Sequence, residues 1–278
     1  MVTKHKDPAP WLDALAGSHD RLAELVADLG GNDLRRPSYC TDWSVAQVLS
    51  HLGSGAEIYE AILGAALAGE EPPGRETFPA IWQRWDEMSP EEQAEGFMAF
   101  DGRLVESLER LGDRLDELEF VAFGGMRLDA AGLLGMRLSE HAVHAWDVAV
   151  SFDAKATLDH ESVVLLVDRL PQMARHVGKP ERLADRPARV TVRTTQPPRT
   201  FHVYIDDVVK IGGDEESRVH EDAAGTAGGD TAHELGIELP AEAFVRLVYG
   251  RLHADHAPSI DASGAQALDV LTRVFPGF

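Results

Sequence analysis

Three marked helix starts in the first 130 residues constrain that region to a helical bundle. Ser44 with Gln47, and Ser89-Pro90-Glu91-Glu92, each carry the serine and the side-chain acceptor three residues on that make a capping box. The second also has proline at the first helical position, and Asp129 caps the third start. Apolar residues follow at helical spacing: Val48, Leu49, Leu52, Ala56, Tyr59 and Ile62 in a helix running to about Ala68, and Phe97, Phe100, Leu104, Leu108, Leu111 and Leu115 in the next. An earlier helix over Pro10 to Leu29 carries Trp11, Leu15, Leu22 and Val26 and stops at Gly30-Gly31. A short amphipathic stretch through Phe78, Ile81, Trp82 and Trp85 lies between the second and third. Four long helices in about 150 residues imply a four-helix bundle.

From Ser151 the pattern changes, which sets the expected domains at 1–152 and 153–278. Glu161 to Val177 reads as a helix. Val190/Val192/Thr194 and Phe201/Val203/Ile205 alternate with period two about Gln196-Pro197-Pro198-Arg199, a hairpin signature. The acidic, glycine-rich segment 213–238 reads as a loop that frames at most a short strand. A helix from Pro240 to Tyr249 ends at Gly250, and another is capped by Ser263 with Gln266 at its third position. The expected fold class is α+β multidomain: an N-terminal helical bundle and a smaller C-terminal α+β domain.

Charge narrows the partners. Twenty-six basic against 47 acidic residues give a net charge of −21, which repels nucleic-acid backbones and anionic membrane surfaces. No run of about 18 apolar residues is present and the first residues carry no apolar signal region, so a cytoplasmic protein, monomer or homodimer, is expected. One cysteine, Cys40, leaves no disulfide framework and no cysteine-rich zinc site. It precedes a helix start beside Trp43, where a packed thiol is the commoner role than a nucleophile. Any metal must then rest on histidine and carboxylate.

The helix after Asp129 supplies such a set. Arg137, Glu140, His144 and Asp147 follow at steps of three, four and three and fall on one stripe, while His141 points elsewhere. Leu133, Leu134, Leu138, Val143, Trp146 and Val148 surround them, so the stripe is expected to face the bundle interior, where charges are costly unless paired or metal-bound. Glu140 and His144, one turn apart, can converge on one ion, but two ligands on one helix need a third from another. His51, at the border of the apolar face of the second helix, is expected to be half-buried.

In combination, Cys40-Thr41-Asp42-Trp43-Ser44-Val45, Leu49-Ser50-His51-Leu52 and Arg137-x-x-Glu140-x-x-x-His144-x-Trp146-Asp147 resemble the mycothiol-dependent maleylpyruvate isomerase family, one of the DinB-like metal-binding bundles. Leu247-Val248-Tyr249-Gly250-Arg251-Leu252 through Phe275-Pro276-Gly277-Phe278 is similar to that family's sterol-carrier-like C-terminal domain. The resemblance implies His51, Glu140 and His144 as ligands of a divalent metal; an open His/His/carboxylate set suits zinc, with iron or nickel as the alternatives. It implies mycothiol as thiol cofactor or co-substrate. The activity implied is addition of the thiolate to a small electrophilic enoyl or keto acid, as cis-trans isomerase or as S-transferase. Asp147 is then a candidate catalytic or ligand-orienting group, or the partner of Arg137. Arg251 is either a binding group for a substrate or mycothiol carboxylate or a cation at a helix C-terminus. A second reading from another class is a non-catalytic metal- and apolar-ligand-binding protein of the same fold.

Overall fold

The structure, a computed structural model, describes residues 7–40, 42–183, 187–213 and 233–277. His220 and most of segment 213–238 lie outside the described residues. The chain divides into two compact units, Met1–Leu158 and Asp159–Phe278.

The first unit is built on α1 (Ala9–Ala27), α3 (Val45–Ala68), α5 (Pro90–Glu109) and α6 (Ala130–Ala149), with the short α2 (Gly31–Leu34) and α4 (Phe78–Asp86) between them. Helix α3 packs on α5 and α6, and α1 packs on the same two, which closes a four-helix bundle. The helix starts are made as the sequence requires. Ser44 Oγ accepts from Gln47 N at 3.3 Å while Gln47 Oε1 accepts from Ser44 N at 2.8 Å, and Ser89 and Glu92 exchange the same pair at 3.3 and 2.7 Å. Asp129 Oδ1 accepts from Gly132 N at 2.7 Å. Leu15, Leu49, Leu52, Phe97, Leu104, Leu134 and Leu138 are fully buried between the helices. Trp85, at the end of α4, slots between α3 and α5 where Gly53 and Gly96 present no side chain.

Helix α5 stops at Glu109, short of Leu115, because Gly112 takes a left-handed conformation (φ 50°) and the chain continues as a 3-10 turn over Gly112–Glu117. The Phe123-Gly124-Gly125 turn joins two strands, β1 (Phe120–Ala122) and β2 (Met126–Leu128), paired antiparallel. Three residues are too few to show period-two alternation, so no strand is visible there in sequence.

The second unit begins with α7 (His160–Leu166) and α8 (Leu170–Val177), separated by a 3-10 turn over Val167–Arg169. The single helix expected over 161–177 is broken because Pro171 has no N–H to give back to the preceding turn. Strands β3 (Ala188–Thr195), β4 (Arg199–Ile205), β5 (Val209–Gly212) and β6 (His233–Pro240) form one sheet in the order β5-β4-β3-β6. The hairpin pairs Val190 with Val203 and Val192 with Phe201, so the apolar alternation of both strands faces one side. Strand β6 runs parallel to β3 over its eight residues, longer than the short strand allowed within the acidic segment. On the buried face lie α9 (Ala241–Val248) and α10 (Ala265–Val274), with Phe244 of α9 5.4 Å from the ring of Phe201. Gly264 rather than Ser263 is the residue ahead of α10. Asp261 Oδ1 takes both Gly264 N and the Ser263 hydroxyl at 2.8 Å, which draws that hydroxyl away from the helix start. A helical bundle followed by a smaller mixed-sheet unit is the α+β architecture expected.

Candidate metal centre

The α3–α6 contact brings His51 across to Glu140 and His144. His51 Nε2 lies 3.2 Å from Glu140 Oε2, and His144 Nε2 lies 3.7 Å from the same oxygen. The rings of His51 and His144 meet edge to face with centroids 4.7 Å apart. One ligand atom from each residue thus falls within 4.8 Å of the other two.

The stripe on α6 does not face inward along its whole length. Arg137 and Asp147 are buried, but the Glu140 side chain is 49 % exposed and that of His51 38 %, against 12 % for His144. The apolar sequence around Glu140 belongs to the other flanks of the helix, and Glu140 itself stands at a solvent-exposed rim of the bundle. His141, on the neighbouring face, is fully buried, as are Leu138, Asp147 and Val148. Partial burial of Glu140 favours its neutral form. The hydrogen bond with His51 and the charges of His144, His51 and Arg137 outweigh that and hold its carboxyl down at about 2.

Further contacts stand behind His144. Asp147, one turn on and fully buried, accepts from His144 Nδ1 at 2.9 Å. The Cys40 thiol donates to the same Oδ2 at 3.0 Å, with its sulfur 3.7 Å from His144 Nδ1. With Nδ1–H committed to Asp147, the lone pair of His144 sits on Nε2, the nitrogen turned to Glu140 and His51. The backbone reinforces this placement, since Tyr39 N donates to the Asp147 carbonyl at 3.2 Å, tying the loop that carries Cys40 to α6. Trp43, at the turn before α3, lies 5.3 Å from the His51 ring and stacks 6.2 Å from His144. Sequence places Cys40 and Trp43 only in a packed helix entry. Nothing in their spacing signals the contact with α6, which only the folded bundle creates.

Arg137, in contrast, turns to the interior. Its Nη2 donates to Asp101 Oδ1 at 2.5 Å and to the Leu52 carbonyl at 2.9 Å. Asp101 Oδ2 also lies 2.7 Å from His19 Nδ1 and 3.0 Å from His141 Nε2, and the Ser18 hydroxyl meets His141 Nδ1 at 2.8 Å. This buried cluster contains two imidazoles and a carboxylate, but its carboxylate is already neutralised by a guanidinium, so it suits a structural network and not a cation. Asp147 is therefore the partner of His144 and Cys40, while Asp101 pairs with Arg137. Arg251 lies in the C-terminal unit, buried, with Nη1 donating to the Tyr249 carbonyl at 2.6 Å just past α9.

The donor set of His51, Glu140 and His144 fits a divalent cation on its chemistry: two imidazole nitrogens, one ionised carboxylate, one ring fixed in the ligating tautomer, and a rim open to solvent.

Residues 15–149 match the family model described as the mycothiol maleylpyruvate isomerase N-terminal domain. Two solved structures share the fold of almost the whole chain. A crystal structure of the mycothiol-dependent maleylpyruvate isomerase has a TM-score of 0.64 at 14 % identity, covering 95 % of this chain and 97 % of that one. A crystal structure of a histidine-to-alanine mutant of a mycothiol-dependent maleylpyruvate isomerase has the same TM-score and coverages at 13 % identity. No curated protein sequence matches the chain. No helix among the described residues is long and apolar enough to cross a membrane. The N-terminal unit of this chain thus belongs to the mycothiol maleylpyruvate isomerase N-terminal domain family, and the chain as a whole has the fold of the mycothiol-dependent maleylpyruvate isomerase.

Proposed function

We propose that this protein is a metal-dependent enzyme that uses mycothiol to add sulfur to a small electrophilic enoyl or keto acid, as a cis-trans isomerase or an S-transferase. The observation that carries the reading is the convergence of His51, Glu140 and His144 at a solvent-open rim, with Asp147 fixing the tautomer of His144. His51, Glu140 and His144 would hold the cation. When bound, a divalent ion such as zinc supplies a Lewis-acidic position at which a thiol is deprotonated at neutral pH.

The chain's own groups set the rest. Asp147 accepts the Nδ1–H of His144 and so fixes the ring's orientation with Nε2 toward Glu140 and His51, and the Cys40 thiol shares that carboxylate oxygen and so limits its rotation. Glu140 stays ionised throughout the neutral range. Trp43 walls one side of the two imidazoles. The reaction such a site serves is reversible addition. Sulfur bonds to the carbon β to the carbonyl, and the double-bond electrons move toward the carbonyl oxygen. The former cis double bond can then rotate, and reversal expels the thiolate and leaves the trans alkene. An S-transferase differs only in that the adduct takes up a proton and leaves. Arg251, buried within the C-terminal unit, donates to the Tyr249 carbonyl and takes the role of a cation at a helix C-terminus.

Elemental analysis of the purified full chain, with turnover measured with and without mycothiol, tests the reading. His51→Ala is expected to lose both bound metal and thiol-dependent turnover while keeping its helical circular dichroism, since this side chain is part-exposed at the bundle rim. Thiol-dependent turnover that survives complete removal of metal would overturn it.

A further inference from the structure

On the Nδ1 side of the His144 ring, away from Glu140 and His51, three side chains of the first unit close a second triangle of donor atoms. Cys40 Sγ lies 3.0 Å from Asp147 Oδ2 and 3.7 Å from His144 Nδ1, and that nitrogen lies 2.9 Å from the same oxygen. A point in their plane is about 1.9 Å from all three atoms, and a cation lifted about 1 Å out of the plane sits about 2.1 Å from each, within about 0.2 Å of the bonds that zinc-like ions make to nitrogen, carboxylate oxygen and thiolate sulfur.

The triangle is held in place by the chain around it. Tyr39 N donates to the Asp147 carbonyl at 3.2 Å, and the Tyr39 ring meets Trp146 edge-on with centroids 4.7 Å apart, which fastens the Cys40 loop to α6. Ser38 N and Trp43 N donate to the Trp43 and Cys40 carbonyls at 2.9 and 3.1 Å and close the loop on itself. Asp147 is fully buried, whereas Cys40 and His144 are part-exposed. A desolvated anion thus forms the base of the cluster, and solvent reaches its thiol side, where a water completes a tetrahedron.

These donors select a cation. The set of His51, Glu140 and His144 offers nitrogen and oxygen; the second set adds sulfur, which favours soft cations over oxygen-seeking ions such as Mg²⁺. The buried group of His19, Asp101 and His141 carries the Arg137 guanidinium on its carboxylate, where a cation would be repelled. On Asp147 Oδ2 the groups that close the triangle are a thiol and an imidazole N–H, both of which give up a proton to a soft metal.

We infer that Cys40, Asp147 and the Nδ1 face of His144 form a second site, for a soft, thiophilic cation, whose occupancy excludes His144 from the candidate metal centre. When Cd²⁺ binds, the thiol proton leaves to solvent and the Nδ1 proton is exchanged for one on Nε2, so that thiolate and carboxylate together neutralise the two charges of the ion. A neutral imidazole has one lone pair. His144 held through Nδ1 therefore presents Nε2–H to Glu140 and no longer serves as a ligand beside His51. The site stands apart from the proposed reaction; only its effect on turnover, which soft metal is expected to abolish, rests on that reading.

Cys40 is the one cysteine of the chain, so sulfur-to-cadmium charge-transfer absorption in the ultraviolet reports this site alone. The test titrates the reduced full chain, stripped by chelator, with Cd²⁺. The band is expected to saturate at one ion per chain, to persist in His51→Ala and Glu140→Gln, and to vanish in Cys40→Ser. In Asp147→Asn and in the part-exposed His144→Ala it is expected to need at least tenfold more Cd²⁺, with each variant keeping the parent's circular dichroism. Absence of the band, saturation at half an ion per chain, or loss of the band in His51→Ala overturns the site. So does an unshifted titration in a folded Asp147→Asn or His144→Ala, which marks adventitious binding to a thiol only. The two readings fail separately. Thiol-dependent turnover that survives metal removal, with the band present, removes the proposed function and keeps this site. Metal-dependent and thiol-dependent turnover with no band removes this site and keeps the function.

Discussion

Asp147 Oδ2 lies 2.9 Å from His144 Nδ1, one turn away on the same helix, and that bond decides which nitrogen of the ring faces His51 and Glu140. The carboxylate is fully buried and also takes the Cys40 thiol, so its orientation is set from two sides.

Asp147→Asn keeps the shape but removes the charge and lets an amide N–H face the imidazole. The affinity for added Zn²⁺, measured by competition with a chromophoric chelator, is expected to fall about 10- to 100-fold, the usual cost of losing the partner of a ligating histidine. Cys40→Ser, which retains a donor to the same oxygen, is expected to stay within a few fold of the parent protein.

The buried network beneath the site is expected to matter more for folding than for chemistry. Asp101→Asn leaves the Arg137 guanidinium without its anion in the bundle core. A loss of about 3–5 kcal/mol is expected in urea unfolding, in line with breaking a buried ion pair from one side. Asp101→Asn with Arg137→Met, which removes both charges, is expected to recover a substantial part of that loss.

The same network gives the protein an acid limb. Burial pushes the His141 imidazole down from its ordinary 6.5, more strongly than Asp101 pulls it up. Native His141 is therefore neutral where the unfolded chain begins to take a proton, and stability falls as pH drops below 6.5 toward the lowered native value. Burial alone would raise Asp101, but His141, Arg137 and His19 together hold it well below 3.8. Its contribution is present above 3.8 and is lost as pH falls through that lowered value. Thermal melts are expected to show Tm declining from about pH 6.5 and again below about pH 3.8, the second step being absent in Asp101→Asn.

Gly53 tests the packing that sets the spacing of α3 and α5. A Cβ added there would overlap the Trp85 ring and stand 3.1 Å from the Phe97 backbone. Gly53→Ala is expected to destabilise by about 1–3 kcal/mol despite its better helix propensity, because the indole has no space into which to retreat. Gly64→Ala on the same helix, where nothing lies within 4 Å, is the control and is expected to be neutral or stabilising.

Local chemistry made the elements legible. The Ser44–Gln47 and Ser89–Glu92 boxes, the Asp129 cap and the Val190–Ile205 alternation each depend on residues within a few positions of one another, so sequence alone determined the bundle helices and the hairpin. It also put Glu140, His144 and Asp147 one turn apart, because helical geometry is fixed once a helix forms. The parallel pairing of β6 with β3 joins residues about 45 apart, and no local pattern encodes it. Likewise the depth of each group was decided by tertiary packing. Whether Glu140 faces core or rim depends on which elements pack against its side of α6, and whether Arg137 pairs with Asp147 or Asp101 depends on which helix, α5 in the event, lies opposite. Cys40 and Trp43 reach His144 only because a loop about 100 residues away folds back on α6, a long-range contact whose partners share no sequence signal. Periodicity states which face a side chain occupies; the energy of burying or exposing it is set by what the rest of the chain places against that face.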